Sequence, residues 1–215
     1  MNYRILALLL LLLPVSIPLA AQAPFTEGTL DYKVKLRSAD GKVYKGHYKF
    51  TFKGPHVKKE LNLDNGFEDV VLIDCGTGSV HSLQNRNGKK YAIQLKMDDI
   101  TKVQQPFTAF TLSSPNEESK TIAGYAAVKG KVTYKDGSSA DIYYSKEWYP
   151  LQAITFERFP AARFLPLYFA YIDEHGIAME FDADKLEMGP QENAVFRIPA
   201  DYKMISNDEY KQLSK

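Results

Sequence analysis

Strict alternation of apolar and polar residues, repeated in one run after another, constrains this chain more than any other feature. From Thr29 to Arg37, the apolar Leu30, Tyr32, Val34 and Leu36 alternate with Asp31, Lys33, Lys35 and Arg37. A period of two sends successive side chains to opposite faces, so this run reads as a strand with one face buried and one in water. Ser38-Ala39-Asp40-Gly41 supplies a turn, after which Tyr44, Gly46, Tyr48, Phe50 and Phe52 oppose Lys45, His47, Lys49 and Thr51. The two runs predict a long antiparallel hairpin. Val57 to Leu63 and Phe67 to Ile73 flank Asp64-Asn65-Gly66, the strongest short hairpin signal in the chain. Ser79 to Leu83 and Tyr91 to Leu95 flank Asn85-Arg86-Asn87-Gly88, which extends the meander.

The pattern breaks between Met97 and Glu118, where Asp98 can cap a short helix through Gln105 and Pro106 stops it. This segment is the expected lid or crossover. Strand character returns over Thr121 to Tyr134, Ala140 to Tyr144, Leu151 to Arg158, Leu167 to Ile172 and Ile177 to Leu186, with Pro160 to Pro166 irregular. Phe196-Arg197-Ile198-Pro199 reads as a short edge segment and Asp208 to Leu213 as a terminal helical turn. The fold expected is mainly β: a single curled antiparallel sheet or unclosed β-barrel of roughly ten or eleven strands with short helical lid segments, because a sheet that wide must curl to bury its apolar face.

Ahead of the first strand lies an export leader. Arg4 gives the positive start, Leu6 to Leu13 an apolar core short for a membrane span, and Pro14 to Ala23 a small-residue cleavage region. Cleavage after Ala23 places Pro24 beyond the scissile bond, whereas cleavage after Ala21 leaves Gln22 there and is favoured. With residues 1–21 as signal peptide, residues 22–215 form one domain, 194 of the 215 residues. The leader carries no lipid-attachment cysteine, so the expected product is periplasmic or secreted and is not a lipoprotein.

Charge and cysteine usage narrow the function. The chain holds 27 Lys and Arg against 26 Asp and Glu, a balance that excludes nucleic acid as a bulk partner. Cys75 is the single cysteine, so no intramolecular disulfide or multi-cysteine zinc site can form, and Asp74-Cys75-Gly76-Thr77-Gly78 reads as a turn. His47, His56, His81 and His175 lack the spacing of a zinc helix, and Glu180, Asp182 and Asp184 read as an exposed acidic strand face rather than a calcium loop. No metal or cofactor is therefore expected. There is no Gly-x-Ser-x-Gly elbow, no phosphate-cradling glycine loop and no close cysteine-histidine pair, so an enzyme is not expected.

Two candidate surfaces remain. The inward faces of the strands, carrying Tyr32, Val34, Leu36, Tyr48, Phe50, Phe52, Leu61, Val70, Leu72, Ile154, Phe156, Leu167 and Phe169, read as the lining of an apolar cavity or as a filled core. Gly46, among large neighbours, fits sheet curvature as well as room for a ligand. The outward faces of the first two strands carry Lys33, Lys35, Arg37, Lys45, His47 and Lys49, a basic patch suited to anionic lipid head groups or an envelope protein. Residues 22–62 hold nine basic and four acidic residues against three and ten over 173–210, so the expected molecule is electrically lopsided.

Four motifs in order along the chain are similar to those of the secreted proteins in the superfamily of the lipoprotein carriers LolA, LolB and LppX. They are Phe25-Thr26-Glu27-Gly28-Thr29-Leu30, Thr121-Ile122-Ala123-Gly124-Tyr125, Tyr143-Tyr144-Ser145-Lys146-Glu147 and Phe196-Arg197-Ile198-Pro199-Ala200-Asp201-Tyr202. The resemblance implies an unclosed antiparallel β-barrel wrapped round helical segments, whose characterised members hold acyl chains in the cavity. It carries over no functional residue. The expected function is an exported soluble binding protein that holds an acyl chain or lipid in a β-sheet cavity, with envelope lipid or lipoprotein transport as its setting. The alternative is a non-catalytic structural or interaction protein of the cell envelope, and a hydrolase ranks below both.

Overall fold

The computed structural model describes residues 22–114 and 118–213; the leader lies outside the described residues. The chain opens with β1 (Ala23–Phe25), then the meander β2 (Glu27–Arg37), β3 (Val43–Lys53), β4 (His56–Leu63), β5 (Glu68–Asp74), β6 (Ser79–Arg86) and β7 (Lys89–Lys96). Helix α1 (Met97–Gln104) follows, then β8 (Phe110–Ser113), β9 (Ser119–Ile122), β10 (Tyr125–Tyr134), β11 (Ser139–Ser145), β12 (Trp148–Pro150), β13 (Leu165–Ile172), β14 (Ala178–Met188), β15 (Lys203–Ser206) and α2 (Asn207–Leu213).

Among the described residues, thirteen strands join in one curled, unclosed sheet. Its order is β15-β7-β6-β5-β4-β3-β2-β14-β13-β11-β10-β8, with β9 beside β8 on the same edge of β10. All neighbours are antiparallel except β15 on β7. Two meanders, β2 to β7 and β10 to β14, meet at β2 and β14, whose register runs from Gly28 opposite Met188 to Arg37 opposite Ala178. A separate parallel pair joins β1 to β12 and sets the buried Phe25 ring 5.0 Å from Phe52.

The alternating faces of β2 and β3 sit as the sequence requires. Leu30, Tyr32 and Val34 are buried, and their cross-strand partners are Phe50, Tyr48 and Gly46. Helix α1 begins at Met97 and runs into a 3-10 turn containing Pro106, as expected. Its cap is Lys96 rather than Asp98; Asp98 and Asp99 lie in the first turn, where their charge opposes the helix dipole.

Several boundaries differ from the sequence reading. Short strands β1, β8, β9, β12 and β15 raise the total above the expected ten or eleven, because three or four residues are too few for a period of two to register. Thr121 to Tyr134 is not continuous: Ala123 and Gly124, both at positive φ, fold it into the β9–β10 hairpin. Phe196 closes a 3-10 turn (Asn193–Phe196) rather than an edge strand. Leu151 to Arg158 forms turns and bends instead of a strand, with Ile154, Thr155 and Phe156 buried consecutively, which a half-buried strand forbids.

Gly46 marks a close backbone approach between β3 and β4. A methyl group added there would lie 1.9 Å from the Asn62 carbonyl oxygen, so the space beside it belongs to β4 and not to a ligand. Gly46→Ala is expected to destabilise the fold by about 2–4 kcal/mol, read as a lower midpoint of urea denaturation. An unchanged midpoint would show that the two strands separate there at no cost.

Candidate functional site

The concave face of the curled sheet is the natural place for a ligand, and residues 151–164 occupy it. This segment links β12 to β13 without strand or helix, and buries Ile154, Phe156, Phe159 and Phe164 in the same cluster as Tyr32, Phe50, Phe52 and Phe169. The Phe156 ring lies 5.1 Å from Phe50 and 6.5 Å from Tyr32, and Phe159 lies 5.3 Å from Phe169. Edge-on aromatic packing of this kind adds to the area buried. The gap left among Tyr48, Phe50, Phe156, Phe159, Phe169 and Phe181 measures about 50 Å³. That is small beside the ~300–1,000 Å³ of ordinary small-molecule pockets, so the segment takes up most of the room there.

An irregular segment inside a sheet must satisfy its own carbonyls, since no ladder does so. Two of the donors come from opposite sides of the hollow and converge on Ile154. The Lys59 amine donates to the Ile154 carbonyl at 3.0 Å, and the Gln104 amide donates to it at 3.2 Å and to the Phe156 carbonyl at 3.4 Å. Gln104 is the buried residue of α1, which therefore acts as a clasp over the segment. Tyr134 donates to the Arg158 carbonyl at 2.8 Å, and the Arg158 guanidinium lies between the rings of Phe107 and Tyr171, 4.1 and 4.2 Å from their centroids. At the floor, the Tyr32 hydroxyl donates to the Pro166 carbonyl at 2.5 Å.

Lys59 is the unusual group. It pairs across the sheet with Phe50 and Val71 and so projects from the concave face. Burial lowers its pKa from 10.5 to about 8, against the pull of the nearby acids Glu157 and Asp69. Burial also raises the Asp69 carboxyl, which accepts from the Gln84 amide at 2.9 Å. Tyr171, raised to about 12 by burial first, and Tyr48, raised further, remain neutral hydroxyls at the rim. The arrangement offers an apolar trough with one amine at its side.

The structure brings together most of the expected lining. Tyr32, Val34, Phe50, Phe52, Ile154, Phe156, Leu167 and Phe169 form one buried cluster, against which Leu36, Tyr48 and Leu61 pack. Val70 and Leu72 are a correction. Their cross-strand partners are Glu60 and Lys58, on the outer face, and Leu72 packs there with Leu83 and Ala92 beneath Ile198 and Tyr202. The run Val70 to Ile73 is apolar on both faces because both faces are covered, and such a run does not say which residue points inward.

The expected basic patch is also corrected. Strand β14 lays its acids beside the lysines of β2, with Glu180 opposite Lys35 and Asp182 opposite Lys33. Lys33 pairs with Asp184 at 2.5 Å, Lys35 with Glu180 at 3.9 Å, and His47 with Asp31 at 3.2 Å. Arg37, Lys45 and Lys49 flank this ladder of mixed charge, so the basic and acidic ends of the sequence offset each other on one surface. Cys75 is half-buried, its thiol pKa raised by burial first, while Asp74 accepts from the Gly76 and Thr77 amides in the expected turn. Among the described residues no three acidic, cysteine or histidine groups converge as a metal site, and no helix is long and apolar enough to cross a membrane.

No protein-family model matches the sequence, and no curated protein matches it. Among solved structures, the chain is similar to MucB of Pseudomonas aeruginosa in its complex with MucA, at 14% identity and a TM-score of 0.43, over 83% of this chain and 58% of that one. A second MucB structure gives 14% identity and 0.41, over 85% and 61%. The LolA superfamily protein NE2245 from Nitrosomonas europaea gives 10% identity and 0.40, over 82% of this chain and 92% of that one. The chain spans about three fifths of the MucB chains it matches.

Truncating Phe156 to Ala is expected to cost about 3–5 kcal/mol in chemical denaturation, since it empties the centre of the aromatic cluster. Lys59 makes a pH prediction. Its folded pKa lies below its unfolded one, so between about pH 8 and 10.5 the unfolded chain retains a proton that the folded chain has released, and stability rises with pH across that window. The stability of the wild type relative to Lys59→Met is expected to increase by about 1–3 kcal/mol from pH 7 to 10.5. A flat difference would place the amine in water.

Proposed function

We propose that this chain is an exported, non-catalytic binding protein that takes an acyl chain or lipid into its curled sheet by exchanging it for residues 151–164. The observation that supports this reading is the nature of the filling: the hollow is occupied by an irregular loop, held through side-chain donors, and not by the side chains of the sheet alone. Burying Ile154, Phe156, Phe159 and Phe164 is worth roughly 6–12 kcal/mol, at ~1.5–3 kcal/mol each. A tail of ~12 methylenes at ~0.8 kcal/mol each gains ~10 kcal/mol. The two are close, so a small change in the clasp decides which one occupies the trough.

The setting is the periplasm or the exterior, after removal of the leader. A second reading, an envelope structural or interaction protein built on a permanently filled barrel, is favoured by the close packing of the central rings, with a gap of about 50 Å³ among them. Native mass spectrometry and organic extraction of protein purified from its own envelope separate the two. A co-purifying acyl-sized mass supports the carrier reading. Lys59→Met with Gln104→Leu, which removes both donors to Ile154, is expected to strengthen dodecanoate uptake about tenfold while lowering thermal stability. Protein free of lipid, with no dodecanoate uptake by wild type or variant, would leave the interaction reading standing.

A further inference from the structure

A second cavity lies on the opposite side of the sheet from the trough. The chain beyond β14 crosses the outer face of β4 to β7, tied down by the Lys90–Asp201 ion pair at 2.6 Å and by Ile198 and Tyr202 packed on Leu72, Leu83 and Ala92. Between this strap and the strands is a space of about 470 Å³, within the ~300–1,000 Å³ range of small-molecule pockets. Its floor is apolar, from Leu72 and Ile198, and one wall is aromatic, where the His56 and Phe196 rings lie 5.6 Å apart and tilted by 35°.

Apart from Asp74, every polar side chain around this floor can donate a hydrogen bond: Arg197, Asn193, Ser79, His81 and His56. The Arg197 guanidinium, the Ser79 hydroxyl and the His81 ring line the cavity, and none has a hydrogen-bond or ion-pair partner among the described residues. The one carboxylate in the lining, Asp74, is already engaged by the amides of Gly76 and Thr77 and faces His56 at 3.8 Å. Burial lowers the His81 pKa, which keeps that ring a neutral donor and acceptor. A cavity with donors turned toward solvent, one unpaired cation and an aromatic wall is complementary to a ligand with one anionic acceptor group on a planar apolar body. A neutral apolar ligand would leave Arg197 unused, and a doubly charged one would lack a second cation.

We propose that the cavity beneath the strap binds a small organic carboxylate with a planar apolar body, seated on Phe196 and His56 with its carboxylate at Arg197, Ser79 and His81. This site is independent of the trough and of the carrier reading. The test uses 2-naphthoate and its neutral analogue 2-naphthalenemethanol on the purified protein, by calorimetry and amide chemical-shift mapping. Naphthoate is expected to bind at least about tenfold tighter than the alcohol, shifting the amides of Leu72, His81 and Ile198. Arg197→Gln, at an exposed and unpaired position, is expected to abolish that preference at unchanged melting temperature, and Phe196→Ala to weaken both ligands. Should Phe196→Ala unfold, His81→Phe keeps a ring, removes the donor and is expected to weaken naphthoate alone. Equal affinity for acid and alcohol, no effect of Arg197→Gln, shifts confined to Phe156 and Phe169, or no binding at millimolar probe would each overturn the proposal.

Discussion

The pairing of β2 with β14 holds the molecule together. Each meander alone is a sheet with a bare edge and an apolar face in water, the condition that strands avoid by pairing or burial. The join removes both bare edges, and it brings Phe181 opposite Val34 so that aromatic residues of the two halves share one interior. The outer side of the same ladder matches lysines of β2 with acids of β14. Exposed pairs of this kind contribute little to stability. Their effect is on register, since sliding by one residue would turn Tyr32 and Phe181 outward and set the charges inside.

Once the sheet is curled, its concave face must be filled. The chain meets this need with a loop rather than a helix, and the loop's carbonyls are met by Lys59, Gln104 and Tyr134, which come from three different elements. Enclosed by aromatic rings, each such bond is stronger than it would be in water and also harder to lose. The same donors thus set how firmly the loop is held. The amine is the one of the three that loses its charge within a few units of neutral pH, because burial lowers its pKa to about 8.

The long strands were legible in the sequence and the occupancy of the trough was not. Eleven-residue alternation in β2 and β3 reports a half-buried strand whatever lies elsewhere, and the Asn and Gly turns set the hairpins. Segment 151–164 carries the same apolar residues as a strand, and only tertiary placement decides that Ile154, Thr155 and Phe156 are surrounded on every side. Lys59 was visible in principle: Val57, Lys59, Leu61 and Leu63 share one parity in β4, so the alternation itself points the lysine inward. Its charge argued for water and concealed that. Pairing of β2 with β14 leaves no local trace, which is why two oppositely charged stretches read as separate patches.

The Lys33–Asp184 contact spans 151 positions, and the entropy of closing a loop grows with its length. Contacts this distant form late in assembly. A chain halted before Ala178 would have every turn of its first meander and yet no mate for β2. That strand would stand open with its lysines uncompensated, a ready template for association with other chains.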